Sequence, residues 1–280
     1  GAVENTKGNK IVATISFLSS AAICIGAVPY PEESKVYWFV VDGTDSYLFE
    51  YDEINDVVAT VLKDDRAASL QVLNFQSSYL ITGVNYYDGY VYWTDNYNPP
   101  RKIHVGRAKT ETQASGAAWF DEDDVNVIVK PPTTIPTLTL QNSTTSLENN
   151  LNDKFLAFAY RYKYVDDSYS ALSPFTAMAF MPGTFSFDYV EHINEAMINT
   201  YNQAVITFNT GTDLVTDIQV VFMDTNSPNI YIIENINKVD FNYSDLQQKS
   251  VTFDNSKIYT ILPPDQLTRL FDNVPLKAQA

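Results

Sequence analysis

From Ile11 onward the chain is cut into short apolar runs by turn-forming residues, and this spacing constrains its fold more than any other feature. Runs at residues 11–17, 22–28, 35–41, 47–52 and 57–62 are separated by Pro29-Tyr30-Pro31, Asp42-Gly43 and Asn55-Asp56. Those breaks supply the fixed φ, the positive φ and the Asx hydrogen bonds that turns need. The runs draw on Val, Ile, Thr and aromatic residues, and with 19 Tyr and 16 Phe the aromatic share reaches 14%. That palette suits half-buried pleated surfaces. The expectation is an all-β chain, and 280 residues suffice for about two domains that each bury a core.

The same order then returns. Residues 79–85 read as a strand, Asp88-Gly89 as a turn, and residues 90–94 and 102–108 as two further strands. Gly26 and Gly83 lie 57 residues apart, and the dipeptides Tyr37-Trp38 and Tyr92-Trp93 lie 55 apart. A strand-rich repeat of this length points to β-propeller blades. A simple meander with Gly turns is the alternative, and two copies leave both open.

A boundary is expected where the acidic run Asp121 to Asp124 gives way to Lys130-Pro131-Pro132-Thr133-Thr134-Ile135-Pro136, since Pro stiffens the chain and cannot donate to a ladder. Beyond it, strands are predicted at residues 137–141, 155–164, 169–181, 204–209, 218–223 and 230–236, with a short helix near 195–201. Tyr160, Tyr162 and Tyr164 alternate with Arg161 and Lys163, so aromatics share one strand face and cations the other. Asp166-Asp167 turns the chain back. This pattern predicts a sandwich of immunoglobulin or fibronectin type III style, without the cysteine pair of antibody domains. After residues 251–261, Pro263-Pro264 starts a short helix with Leu267, Leu270 and Phe271 on one face. The plan is therefore a partial propeller in residues 1–130, an inserted sandwich in 131–240, and a return to the propeller with a short helix in 241–280.

With a formal net charge of −16, the average surface repels phosphate backbones, and tight DNA binding is disfavoured. Cys24 is the only cysteine, which excludes an intrachain disulfide and a multi-cysteine zinc site. Between Ile23 and Ile25 it reads as a buried thiol in a strand. The sequons at Asn142 and Asn242 carry little weight in so Asn-rich a chain. The start lacks the basic-then-apolar layout of a signal peptide, and no apolar stretch approaches the roughly 18 residues of a membrane span. A start without Met and a stop at Ala280 read as an excerpt of a longer polypeptide.

The sequence offers few parts for catalysis. His104 and His192 are the only histidines and lie 88 positions apart, too sparse for a metal or nucleophile site. Asp121 to Asp124 lack the Gly-punctuated alternation of a calcium loop and read as a solvated loop. Gly-rich phosphate loops, nucleophile elbows and HExxH helices are all missing. No catalytic, cofactor-binding or metal-ligating residue is nominated, and the expectation is a non-enzymatic protein. The candidate interface residues are Arg101, Lys102, Arg161 and Lys163. For the loop Asn98-Pro99-Pro100-Arg101-Lys102, docking of an acidic neighbour and a stiff blade connection with solvated cations both stand. Arg161 and Lys163 read either as an exposed strand face or as an interface.

Three long segments carry a resemblance to a known family: residues 92–103 (YWTDNYNPPRKI), 159–175 (AYRYKYVDDSYSALSPF) and 258–275 (IYTILPPDQLTRLFDNVP). Together they resemble the tail stabilisation, or nozzle, proteins of crAss-like and related short-tailed bacteriophages. The opening Gly1 to Asn9 is similar to an internal stretch of that family, whose members extend further at both ends. The resemblance implies a virion protein of the distal tail, built from a β-propeller with an inserted sandwich. It implies partners in a homo-oligomeric ring and other tail proteins, DNA passing through without specific binding, and no membrane in the virion. Tyr92-Trp93-Thr94-Asp95 also equals the propeller signature of lipoprotein receptors, but those domains travel with Cys-rich modules and this chain has one cysteine. A receptor- or glycan-binding propeller is the competing class.

Overall fold

In a computed structural model, residues 11–111, 120–145 and 148–267 are described, and their regular structure is predominantly antiparallel β. The chain divides into two compact units between Val129 and Lys130.

The first unit opens with a four-stranded meander of β1 (Ile23–Tyr30), β2 (Lys35–Asp42), β3 (Asp45–Asp52) and β4 (Val57–Asp64). Residues 11–17, expected as a strand, are irregular. Ile15, Leu18 and Ala22 instead pack on the face of the sheet that carries Val40, Tyr47 and Phe49. A second sheet follows in the order β5 (Gly83–Tyr87), β6 (Tyr90–Thr94) and β7 (Arg101–His104). Between β5 and β6, Asp88 and Gly89 both hold positive φ, at 48° and 80°, as the two central residues of a type I′ hairpin turn must. The run expected as a strand through residue 108 breaks after His104. There Val105–Glu111 forms helix α1, whose Val105 and Ala108 join the core.

The two sheets of this unit share one core. Tyr37, Phe39 and Val41 from β2 meet Val91 and Trp93 from β6, with the Phe39 and Trp93 ring centroids 5.5 Å apart. Gly26 marks the tightest approach: a Cβ there would lie 2.4 Å from the Ile81 carbonyl oxygen, while the Ile81 amide donates to Ile25 O at 2.8 Å. Cys24 is exposed and not buried. Ile25 takes the core-facing position of the alternation, and its neighbour points outward.

The acidic run is also more ordered than a solvated loop. Glu122–Val125 is a short helix, α2, and Asp121 caps it. Asp121 Oδ1 accepts from the amides of Asp123 and Asp124, and Asp124 Oδ2 accepts from the Asp121 amide at 2.9 Å. This reciprocal pair is a capping box built from two aspartates.

The second unit holds two larger sheets. One runs β15 (Gln248–Phe253), β12 (Gln203–Asn209), β8 (Thr137–Gln141), and the other β16 (Thr260–Ile261), β14 (Ile230–Asn237), β13 (Val215–Asp224), β9 (Leu156–Tyr164). A two-stranded hairpin, β10 (Phe187–Asp188) with β11 (Ile193–Asn194), stands apart from both. Rings join the two large sheets: Phe158 meets Phe253 at 5.3 Å, Tyr160 meets Phe208 at 5.9 Å, and Phe222 meets Phe253 at 4.9 Å. Residues 241–280 were expected to leave this unit. Its described part instead continues to residue 267, because β15 pairs with β12 along six residues and β16 pairs with β14.

Residues 169–181, predicted as a strand, follow the edge of β9 in a different register. The amides of Ser170, Ser173, Thr176 and Ala179 donate to the carbonyls of Tyr162, Tyr160, Phe158 and Leu156 at 2.7–2.9 Å. The return bonds go to side chains: Tyr162 N donates to Ser170 Oγ, Tyr160 N to Ser173 Oγ and Phe158 N to Thr176 Oγ1, at 3.0–3.1 Å. Three residues of the segment therefore span two of the strand, and hydroxyls replace the carbonyls a normal partner would offer. The amides of Phe158, Tyr160 and Tyr162 on that edge are satisfied without a strand.

The helix expected near 195–201 is a set of turns. Asn199 is buried there, and its side chain donates to Ala179 O and accepts from Met181 N, local bonds that compete with helix formation. After Pro263, a 3-10 turn forms over Pro264–Gln266. The proposed apolar face at Leu270 and Phe271 lies outside the described residues, as does the segment 1–10.

Candidate functional site

Each cation nominated from the sequence has a partner within its own unit. Arg101 follows Pro99-Pro100 at the start of β7 and is only 3% exposed. Its Nη1 donates to Val72 O at 2.9 Å and its Nη2 to Asn98 Oδ1 at 3.3 Å. Asn98 in turn donates from Nδ2 to Asp95 Oδ2 at 2.6 Å and to Leu73 O at 3.0 Å. Asp95 Oδ1 accepts from the amides of Tyr97 and Asn98. The loop is thus a closed polar lock that ties residues 72–73 to β7. Burial lowers the Arg101 pKa, opposed by the negative charge of Asp95.

Neither solvation nor docking on an acidic neighbour is open to Arg101, since its guanidinium is buried inside the unit. Lys102 is half-buried and sets its Nζ 5.8 Å from the Tyr90 ring centroid, a cation–π distance.

Arg161 corrects the expectation more sharply. It is 1% exposed, although the alternation of β9 placed it on a solvent face. The reason is that β9 is covered on both sides: Phe158, Tyr160 and Tyr162 face the other sheet, while Ala159 packs with Val221, Leu262, Phe175 and Leu267. Arg161 Nε donates to Gln219 Oε1 at 2.7 Å and Nη2 to Gln266 Oε1 at 2.6 Å. Its guanidinium carbon lies 4.2 Å from the Tyr169 ring centroid. Gln266 belongs to the Pro263-Pro264 segment, so this arginine fastens a stretch 105 residues away.

Lys163 is paired with Asp167 at 2.6 Å across the turn. That hydrogen bond raises its pKa.

These contacts change the meaning of the three long segments. Residues 92–103 contain the Asp95–Asn98–Arg101 lock, while 159–175 and the described part of 258–275 meet through Arg161 and Gln266. Each patterned stretch serves as an internal clasp. Sequence reasoning saw the two arginines and missed their acceptors, which are neutral amides and a main-chain carbonyl that no charge pattern announces.

His104 lies on β7 against the Tyr90 ring, 5.0 Å between centroids, and His192 lies in the β10–β11 loop with φ +57°. Among the described residues, no three His, Cys, Asp or Glu side chains gather as a metal site, and no helix is long and apolar enough to cross a membrane. The outward face of the second sheet carries Asn85, Tyr92 and Thr94, which with Pro100 and Val127 line an open groove of about 420 Å³. No protein-family model matches the chain, and no curated protein matches it at a significant level.

Proposed function

We propose that this chain is a structural, non-enzymatic component of a short phage tail, acting in a nozzle-like ring that lines the DNA exit channel and helps retain and release packaged DNA. The observation that carries the reading is the relation between the two sheets of the first unit. Trp38 pairs with the residue after Gly26, and Trp93 pairs with the residue after Gly83, so the two are equivalent in register. Yet Tyr37 and Phe39 of the first sheet and Trp93 of the second face their common core, while Trp38 faces away.

Opposite faces of equivalent strands therefore meet. Successive propeller blades stack this way, each offering one face to its predecessor and the other to its successor. A two-fold sandwich of the same strands would bring equivalent faces together. On this reading the first unit is part of a propeller, and the second an inserted sandwich of immunoglobulin or fibronectin type III kind.

The resemblance to nozzle proteins supplies the setting, and the charge fits it. DNA leaving a tail has to slide, and cationic phosphate contacts would hold it in a salt-dependent grip. An acidic subunit repeated around a ring avoids that grip. Electron microscopy of the intact particle tests the proposal directly. A ring of copies around an axial channel with a net acidic wall is expected; single peripheral copies, or salt-dependent DNA binding by the isolated chain, would refute it.

A second reading, a glycan-binding propeller, is favoured by one observation: Tyr90 and Tyr92 lie 6.0 Å apart, and Tyr92 lines the outer groove. Selective signals on a glycan array that vanish with Tyr92→Ala would establish it in place of a purely structural role.

A further inference from the structure

The second unit carries an arm that its own core does not explain. Residues 181–198 leave the sheets as a two-stranded excursion that ends in β10, a loop at residues 189–192, and β11. Its base is fixed. The Asn199 amide donates to Asn152 O and its side chain clasps residues 179 and 181, while Thr200 N donates to Met181 O and Gly183 N to Ala196 O. The tip is held as well, since Asp188 Oδ1 accepts from the amides of Val190 and Glu191.

On this braced arm, Phe185, Tyr189, Val190, Ile193, Met197 and Ile198 each expose half or more of their surface, with Tyr189 and Val190 at 82%. Phe187 organises the rings, stacking on Phe185 at 6.5 Å and meeting Tyr189 edge-on at 5.0 Å. Exposed apolar side chains gathered in this way mark an interaction surface.

Its chemistry selects the kind of partner. Three of the chain's four methionines, Met178, Met181 and Met197, are exposed on or beside the arm, and aromatic residues with methionine are the types enriched in protein interface cores. The charges are of one sign. Between Tyr164 and Asn237 there are nine Asp and Glu residues and no Lys or Arg, and Asp188, Glu191 and Glu195 rim the arm. A second copy meeting the arm tip to tip would set like charges together, and an anionic bilayer would be repelled.

We infer that the 181–198 arm is a protein-docking element whose partner is a cationic amphipathic segment, its apolar side chains covering Tyr189, Val190 and Phe185 and its Lys or Arg residues meeting the acidic rim. The inference goes beyond the tail reading and does not depend on it.

The test uses the full chain and a labelled synthetic Leu/Lys amphipathic helix of about 18 residues, followed by fluorescence anisotropy. The chain is expected to bind this peptide and not a Leu/Glu peptide of the same pattern. The double variant Tyr189→Ser with Val190→Ser, which alters no charge, is expected to weaken binding about tenfold, as loss of an interface anchor does. Ile54→Ser, an exposed apolar change in the other unit, should leave it unaltered. Equal affinity of the wild-type chain and the arm variant would overturn the inference, as would no binding at all. Arm-dependent binding to phosphatidylcholine vesicles, or arm-dependent self-association in sedimentation, would replace the cationic partner with a lipid surface or a second copy.

Discussion

Both units bury an arginine, and both close it with neutral acceptors beside a Pro-Pro pair, yet they do so over different distances along the chain. In the first unit Arg101 finds Asn98 three residues away and Val72 twenty-nine away. In the second, Arg161 reaches Gln219 and Gln266, 58 and 105 residues away. The first lock forms with its loop, whereas the second exists only once the sheet and the C-terminal turn have come together. Stability in the first unit thus rests on repeated local meanders around one aromatic core, and in the second on long-range closures that cover β9 on every side. Covering both faces of a strand is what allows a cation to sit at a position whose alternation points outward.

If the units are separate in this sense, their core and clasp variants should act on one unfolding transition each. The largest effect is expected for Trp93→Ala, which empties the centre of the first core and should destabilise that unit by about 3–5 kcal/mol. Calorimetry should show one transition falling while the other stays; a common shift of both would break the comparison. Arg161→Ala comes next. It leaves Gln219 and Gln266 without their donor and removes packing, for a loss of about 3 kcal/mol in the second unit. Proteolysis should then cut near residues 263–267 sooner than in the parent chain, and unchanged protection there would show that the clasp is idle.

The hydroxyl ladder allows a subtler test. Ser173→Ala removes the acceptor of the buried Tyr160 amide and should cost about 1–2 kcal/mol. Hydrogen exchange at Tyr160 should rise while that at Val220 on the next strand holds, since β13 lies along the opposite edge of β9 from Ser173. Exchange that is insensitive to the substitution would make the three-to-two register a packing accident.

The smallest effect is expected as pH falls below the ordinary carboxylate range, and again it separates the units. Burial tends to raise the Asp64 pKa, but Arg66 and the amides of Leu73 and Val72 hold it below the usual carboxylate range. A depressed folded-state pKa contributes stability that is present above the ordinary carboxylate pKa and is lost as pH falls through the lower, folded value. Asp42 and Asp52, whose pKa values are also lowered by hydrogen bonds from Ser19 and Asn55, belong to the same unit. The first unit should therefore lose stability before the second on acidification, and Asp64→Asn should flatten that dependence. A second unit that melts first would reverse the comparison.

Several misreadings share one cause. Ser170, Ser173 and Thr176 stand at intervals of three, a signal visible in the sequence, yet the apolar content of the run reads as a strand. Asp121 and Asp124 have the spacing of a capping box, but four acidic residues in a row read more naturally as solvated. Arg161 stands in an alternation that points it to a solvent face. In each case the deciding partner is a main-chain group or a distant amide, which composition and alternation do not encode.

By itself the sequence determined the elements made by local chemistry. Turns such as Asp88-Gly89, the strands they separate, the Tyr37-Trp38 and Tyr92-Trp93 repeat and the break before Lys130 follow from φ preferences, β-branching and the period of two. Tertiary structure alone decided which faces are covered, and with them the fate of Arg101 and Arg161. Alternation says that Tyr160 and Arg161 point to opposite sides of a strand. Whether the second side meets water or another layer depends on segments far along the chain, because burial is a property of the whole packed unit and not of any stretch within it.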